Sequence, residues 1–264
     1  MSLRSRAFTF AAFQGRFVVA QLLVVTALLL LSLAAYVFVA ITGHERVLGL
    51  IRIIDVGEEQ SLPTYFSTMN LMLAALLLLV IWSLGPRESG PSHRYWLALG
   101  VLFILLSIDE AVSLHETLGN ILMHHVLRTR SMFDYHSWVP FGAAFVLVVG
   151  GLFVNFLRQL PRRLALRFIV AGALFVGGAL GVEFVGAVMM HAGIATPHDF
   201  LYKLRRLVEE GGEMYGIALF NCALFGEIVA RRLSLRVEAE AAPPTAVLRP
   251  AVSVAPPAVH IHAD

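Results

Sequence analysis

The chain is predicted to be all-α, a polytopic transmembrane bundle of six spanning helices with both termini in the cytoplasm. Composition is the first reason. Apolar residues make up 58% of the 264 residues and charged residues only 14%, where a soluble domain carries about a quarter. The mean hydropathy is +0.77. The second reason is spacing. Six apolar runs recur, each close to the roughly 20 residues that a helix needs to cross a hydrocarbon core of about 30 Å. A surface so poor in charge faces lipid. It excludes a soluble enzyme, and no nucleic-acid partner is expected.

The first run covers residues 17–42. A signal-peptide core is usually about 7–15 residues, so this run reads as an uncleaved signal anchor behind an N-terminal tail, residues 1–16. Residues 47–55 lie in the first outer loop, too short to span and suited to the interface. The second span is expected over 64–84, the third over 95–116, the fourth over 138–157, the fifth over 164–191 and the sixth over 207–230. The membrane domain is thus 17–232. Beyond it, residues 233–264 are rich in Ala, Pro and Val and read as a disordered cytoplasmic tail. His260 and His262 at its tip read as two unrelated histidines. The single cysteine, Cys222, excludes an intrachain disulfide and a CxxC metal site.

Arginines set the expected orientation. The two tails and the second and fourth loops hold 13 of the 20 basic residues, among them Arg4, Arg87, Arg162 and Arg249. The other side holds seven, namely Arg46, Arg52, Arg128, Arg130, Lys203, Arg205 and Arg206. The positive-inside rule places both termini in the cytoplasm, in a bacterial inner membrane, with the odd-numbered loops on the periplasmic side.

Ionisable residues inside spanning helices are costly and mark function. Counted at 1.5 Å per residue, Asp109 lies roughly 22 Å above the inner end of its span and Glu116 roughly 33 Å. Glu183 lies at roughly 24 Å, Glu213 at roughly 27 Å, Glu209 at roughly 33 Å and Asn70 at roughly 22 Å. These depths bring polar groups of four helices to one level, with His136 placed to cap the cluster from outside. On a continuous third helix, Asp109, Val112, Ser113 and Glu116 share a stripe, His115 lies at its border and Glu110 at the opposite border. Gly177 and Gly181 have the small-xxx-small spacing that lets a neighbouring helix approach beside Glu183.

Several of these residues have blander explanations. Glu209 and Glu210 suit the first turn of a helix, whose dipole favours acids, with Arg205 and Arg206 as partners. Glu116 and His115 suit the membrane interface. His124, His125, His191 and His198 read as solvated histidines, and Trp138 as an aromatic-belt anchor. Asp109 and Glu183 lie too deep for such accounts.

Carboxylates with imidazoles between helices suit iron, manganese or zinc. The expected metal ligands are Asp109, His115, Glu116, Glu183, Glu209 and Glu213, with Glu110 and His136 handling protons. No Glu-x-x-His pair of the di-iron kind occurs, and a single zinc on Asp109, His115 and His136 is equally writable. The rival is proton- or cation-coupled transport, since Asp, Glu and His in membrane helices also form proton relays. A membrane scaffold or assembly factor is the third reading.

Five motifs carry a resemblance. They are Asp55-x-x-x-Glu59-x-x-x-Pro63, Ser107-x-Asp109-Glu110-x-x-x-x-His115-Glu116, His136-x-Trp138-x-Pro140, Gly177-Gly-x-x-Gly-x-Glu183 and Glu209-Glu210-x-x-Glu213. Together they resemble a family of uncharacterised bacterial multi-pass inner-membrane proteins. The likeness implies that these acids and histidines belong to one site, with Asp55 and Glu59 reaching it from the first outer loop. The sequence reading is therefore a membrane protein with an outward-facing carboxylate and histidine pocket. A metal-dependent enzyme acting on a lipid-like or small amphipathic substrate is expected ahead of a transporter.

Overall fold

The computed structural model describes residues 3–44, 47–85, 90–128 and 132–241. Arg46, Arg87, Arg130, Arg249, His260 and His262 lie outside the described residues, as does the expected tail from 242 onward. Among the described residues there is no strand. Six helical stretches are long and apolar enough to cross a membrane: Gln14–Thr42, Leu62–Leu84, His93–Val112, Val139–Gln159, Arg162–His191 and Phe200–Arg231.

Helix α1 spans Leu3–Thr42 and leads through the short α2, Leu50–Ile54, to α3, Leu62–Leu84. Ser61 starts α3 as its N-cap, accepting from the Thr64 N–H at 3.3 Å, with Pro63 in the first turn. Helix α4, Gly90–Val112, returns beside it, and buried Ser107 donates to the Thr68 carbonyl at 3.0 Å.

The expected continuous third span ends early. Ser113 takes a left-handed conformation, φ 48°, and separates α4 from α5, Leu114–Asn120. A π-helical turn, Ile121–Val126, comes next. Helices α6, Val139–Gln159, and α7, Arg162–Val176, form the next pair. A second π-helical segment, Gly177–Val182, joins α7 to α8, Glu183–His191. Helix α9, Phe200–Ala241, starts before its expected position and runs past the expected boundary at 232.

Helix α9 is the centre of the bundle and packs against α1, α3 and α7. Its span has the lowest mean hydropathy of the six, 1.3 against 2.7 for α1, and is the most enclosed. Polar residues are tolerated there because protein, not lipid, surrounds them. Leu71, Leu78, Ile81, Phe156 and Leu224 form the main apolar core, and Val25, Tyr36, Val56 and Met214 form a second one against α1.

Glycines set the closest helix contact, though not the two expected from their spacing. Gly177 and Gly181 face open space. A Cβ on Gly178 would stand 2.5 Å from the Glu209 carbonyl, and one on Gly212 would stand 3.1 Å from the Gly178 Cα. Small residues allow this approach of the π-helical segment to α9.

Candidate functional site

One cavity of about 620 Å³ opens at the end of the bundle where the α1–α3, α4–α6 and α8–α9 connections meet. Asp109, Glu110, His115, Glu116, His136, Glu183, Glu209 and Glu213, the eight residues singled out from the sequence, all border it, as do Glu59 and Glu210. From this polar chamber the cavity continues as an apolar shaft between α4, α6 and α7. Leu102, Phe103, Val149, Phe153, Phe168 and Phe175 are among its walls. Helices α4 and α6 touch only sparingly, which leaves the shaft its room.

The chamber is built from short-range devices. The break at Ser113 turns α5 back so that Asp109 caps it. The His115 backbone N–H donates to Asp109 Oδ1 at 2.7 Å, and His115 Nδ1–H donates to Oδ2 at 2.8 Å. The first N–H groups of a helix have no intrahelical partner, so the carboxylate satisfies one of them. His115 Nε2 has no hydrogen-bond partner among the described residues. Burial alone would lower the His115 pKa, but the Asp109 hydrogen bond and charge outweigh it and hold it above 6.5. Burial raises the Glu116 carboxyl above its ordinary 4.5, with His115 opposing.

A second imidazole is locked in place. Buried His136 donates from Nδ1 to Glu183 Oε1 at 2.9 Å, and Tyr202 donates its hydroxyl to His136 Nε2 at 3.0 Å. His136, expected to cap the cluster, is held on Glu183 with both its ring nitrogens engaged inside the protein. Trp138 is not simply a belt anchor. Its Nε1–H donates to the same Glu183 Oε1 at 2.8 Å, and its ring meets His115 edge-on at 4.6 Å. Gly119 and Gly142 make room for it, since a Cβ on Gly142 would stand 2.3 Å from the indole. Glu183 is 9% exposed, and its Oε2 has no partner among the described residues. The π-helical segment just before it adds a residue to the turn and rotates the helix beyond by about 100°.

Glu209 does not lie in a first helical turn, because α9 begins at Phe200. It pairs with buried Arg205 at 2.7 Å, and Arg205 also donates to the Val182 carbonyl at 3.1 Å. Glu110 and Glu210 are partly accessible through the cavity, so Glu110 shares the chamber with Asp109 rather than facing away. Asp55 does not border the cavity; it accepts from Tyr36 at 2.5 Å and from the Gly57 N–H at 2.8 Å. Asn70 is also elsewhere, accepting from Asn221 at 3.0 Å between α3 and α9. Among the described residues no three His, Cys, Asp or Glu side chains are grouped to hold a metal ion. The sequence reading pairs Arg205 with Glu209, as their i,i+4 spacing suggests, but misses the inward roles of Tyr202 and Trp138.

A family model described as a domain of unknown function (DUF8692) matches residues 18–227, which takes in most of the membrane domain. No curated protein and no solved structure matches the chain. The chain belongs to the family that the model describes.

Proposed function

We propose that this member of the DUF8692 family is a bacterial inner-membrane enzyme that draws a lipid-like amphiphile into its cavity and works on the polar head by proton transfer. One observation carries the reading: a single cavity joins a chamber of carboxyl groups and imidazoles to an apolar shaft. Along α6 its lining runs from Trp138 to Leu157, roughly 28 Å at 1.5 Å per residue. That is close to the hydrocarbon thickness of about 30 Å. The volume suits a ligand of that kind, since small-molecule sites are about 300–1,000 Å³ and mostly apolar with few polar groups. The basic bias of the opposite loops and tails supports a periplasmic chamber.

Asp109 and His115 are the proton-handling pair. The carboxylate fixes the imidazole with Nδ1–H toward itself, which leaves Nε2 to accept a proton from a hydroxyl or water at the head. Glu183 Oε2, beyond the Trp138 indole, is the second free acceptor. His136 and Tyr202 position Glu183 and do not face the substrate with a free atom.

Two glycines on the shaft wall allow a clean test. A Cβ on Gly150 or on Gly172 would meet nothing within 4 Å. Gly150→Phe and Gly172→Phe should therefore fold, because leaving glycine favours a helix by up to about 1 kcal/mol, while the ring fills the shaft. Purified wild type should retain long-chain amphiphiles detectable by mass spectrometry, and both variants should lose about nine-tenths of them. Equal retention in folded variants would sink the reading.

A further inference from the structure

We propose that the shaft takes a single hydrocarbon tail, end first, and that an aromatic floor limits this tail to about the length found in one leaflet. The inference rests on the amphiphile reading above and adds the number and length of the tails. Along α4 the lining runs from Glu110 at the chamber to Leu99, roughly 17 Å at 1.5 Å per residue. Along α6 its apolar part runs from Phe145 to Leu157, roughly 18 Å. One leaflet supplies half of the hydrocarbon core, about 15 Å. The section of the cavity sets the number of tails. About 620 Å³ spread over the roughly 28 Å from Trp138 to Leu157 leaves a mean cross-section of about 22 Å². Carbons in contact stand about 3.5–4.0 Å apart, so that section admits one extended chain and not two abreast.

The inner end of the shaft is closed. Phe168 of α7 and Phe220 of α9 are the innermost lining residues of their helices, and their ring centroids stand 4.7 Å apart. Phe103 of α4 stacks on Phe220 at 4.9 Å. Behind this floor lies buried Trp96, which does not border the cavity. It stands edge-on to Phe156 at 5.0 Å and to Phe168 at 6.1 Å, and Arg231 lies over its ring at 5.1 Å. Buried Leu164 and Leu224 belong to the same core. A tail therefore meets packed rings instead of a passage to the far side of the membrane. Past the floor each further methylene must displace a ring, at a cost in strain. A shorter tail leaves a void whose walls lose their dispersion contacts. The bilayer solvates tails of every length, so a length preference reports fit to the shaft.

The test uses the full chain in nanodiscs equilibrated with an equimolar mixture of glycerol ethers. The mixture holds the monododecyl, monohexadecyl and monodocosyl ethers and the dihexadecyl diether. Amphiphile retained above the level of Gly150→Phe is read by mass spectrometry. Wild type should retain the monohexadecyl ether about tenfold over the monodocosyl ether and over the diether. Phe168→Ala lowers the floor and should shift the preference to the monodocosyl ether. Phe168 is buried, so that variant can fail to fold. Gly172→Leu keeps the test open, since Gly172 borders the shaft one turn above Phe168 and a Cβ there would meet nothing within 4 Å. It should fold and shift the preference to the monododecyl ether by about tenfold. Three results overturn the inference and leave the amphiphile reading standing: equal retention of the hexadecyl and docosyl monoethers by wild type, equal retention of the diether, or an unmoved preference in folded Gly172→Leu. If no ether is retained above the level of Gly150→Phe, the amphiphile reading falls and the inference falls with it.

Discussion

Asp109 closes on His115 through both carboxylate oxygens, one on the backbone N–H at 2.7 Å and one on the ring Nδ1 at 2.8 Å. The contact bridges the break between α4 and α5, so a single side chain fixes both the direction of the second helix and the orientation of an imidazole. The left-handed Ser113 makes it possible, because a continuous helix would carry His115 past the carboxylate.

Replacing Asp109 tests that double duty. Asp109→Ala removes two hydrogen bonds to a charged acceptor, each worth about 1.5–3 kcal/mol when intact. Asp109→Asn keeps one acceptor oxygen and should recover the helix cap but not the imidazole orientation. The expected result is a large fall in Tm for Ala and a small one for Asn, with turnover of any identified substrate lost in both. Equal melting of Ala and wild type would show that the cap carries no stability.

Stability should fall as pH rises. His115 and Glu116 both hold their protons more tightly in the folded protein than in the unfolded chain. Wherever the folded state binds more protons, raising pH favours unfolding. The Glu116 share is present below its ordinary 4.5 and is lost above it; the His115 share is fully present below 6.5 and is lost as pH rises through the higher folded value. Melts across this range should show Tm declining, and His115→Gln should flatten the upper part of the decline. A Tm that climbs with pH in wild type would contradict both assignments.

How legible the site was depends on the residue. The six spans come from length and apolarity alone, because lipid demands a continuous apolar stretch. Asp109 and Glu183 stood out because a charge in such a stretch is costly. Neither the break at Ser113 nor the π-helical turns had a local signature, since no proline marks them and serine rarely adopts positive φ. Trp138 looked like an interface residue because the pattern that places tryptophan at the headgroups does not reveal what its N–H meets. Asp55 matched the motif yet bonds Tyr36, a partner on α1 that no spacing could announce.

The Arg205–Glu209 pair should behave as a buried unit. Removing one partner of such a pair costs about 3–5 kcal/mol, because the other charge is left alone. Arg205→Met should therefore lower Tm sharply, and adding Glu209→Met should restore most of the loss. Gly186 stacks on this guanidinium, where a Cβ would stand 2.5 Å from it, so Gly186→Ala should weaken the same unit. A double variant no better than the single one would show that the pair is not coupled.

Metal removal distinguishes two ways of holding the chamber together. Of the expected ligands, Asp109 has both oxygens on His115, Glu183 has one oxygen on His136 and Trp138, and Glu209 is paired with Arg205. These bonds tie α4 to α5 and α8 to the start of α6, and Tyr202 and Arg205 of α9 reach His136 and the Val182 carbonyl. A metal that organised the same groups would add its binding free energy to folding. Chelation of purified protein should therefore shift Tm by no more than about 2 °C, and Asp109→Asn should melt alike with and without chelator. A larger fall on chelation, together with about one equivalent of iron, zinc or manganese by elemental analysis, would instead favour the ligand set expected from the sequence. Asp109 would then have to release one oxygen from His115 to join it, or stay behind the imidazole as the carboxylate that orients a metal-bound histidine.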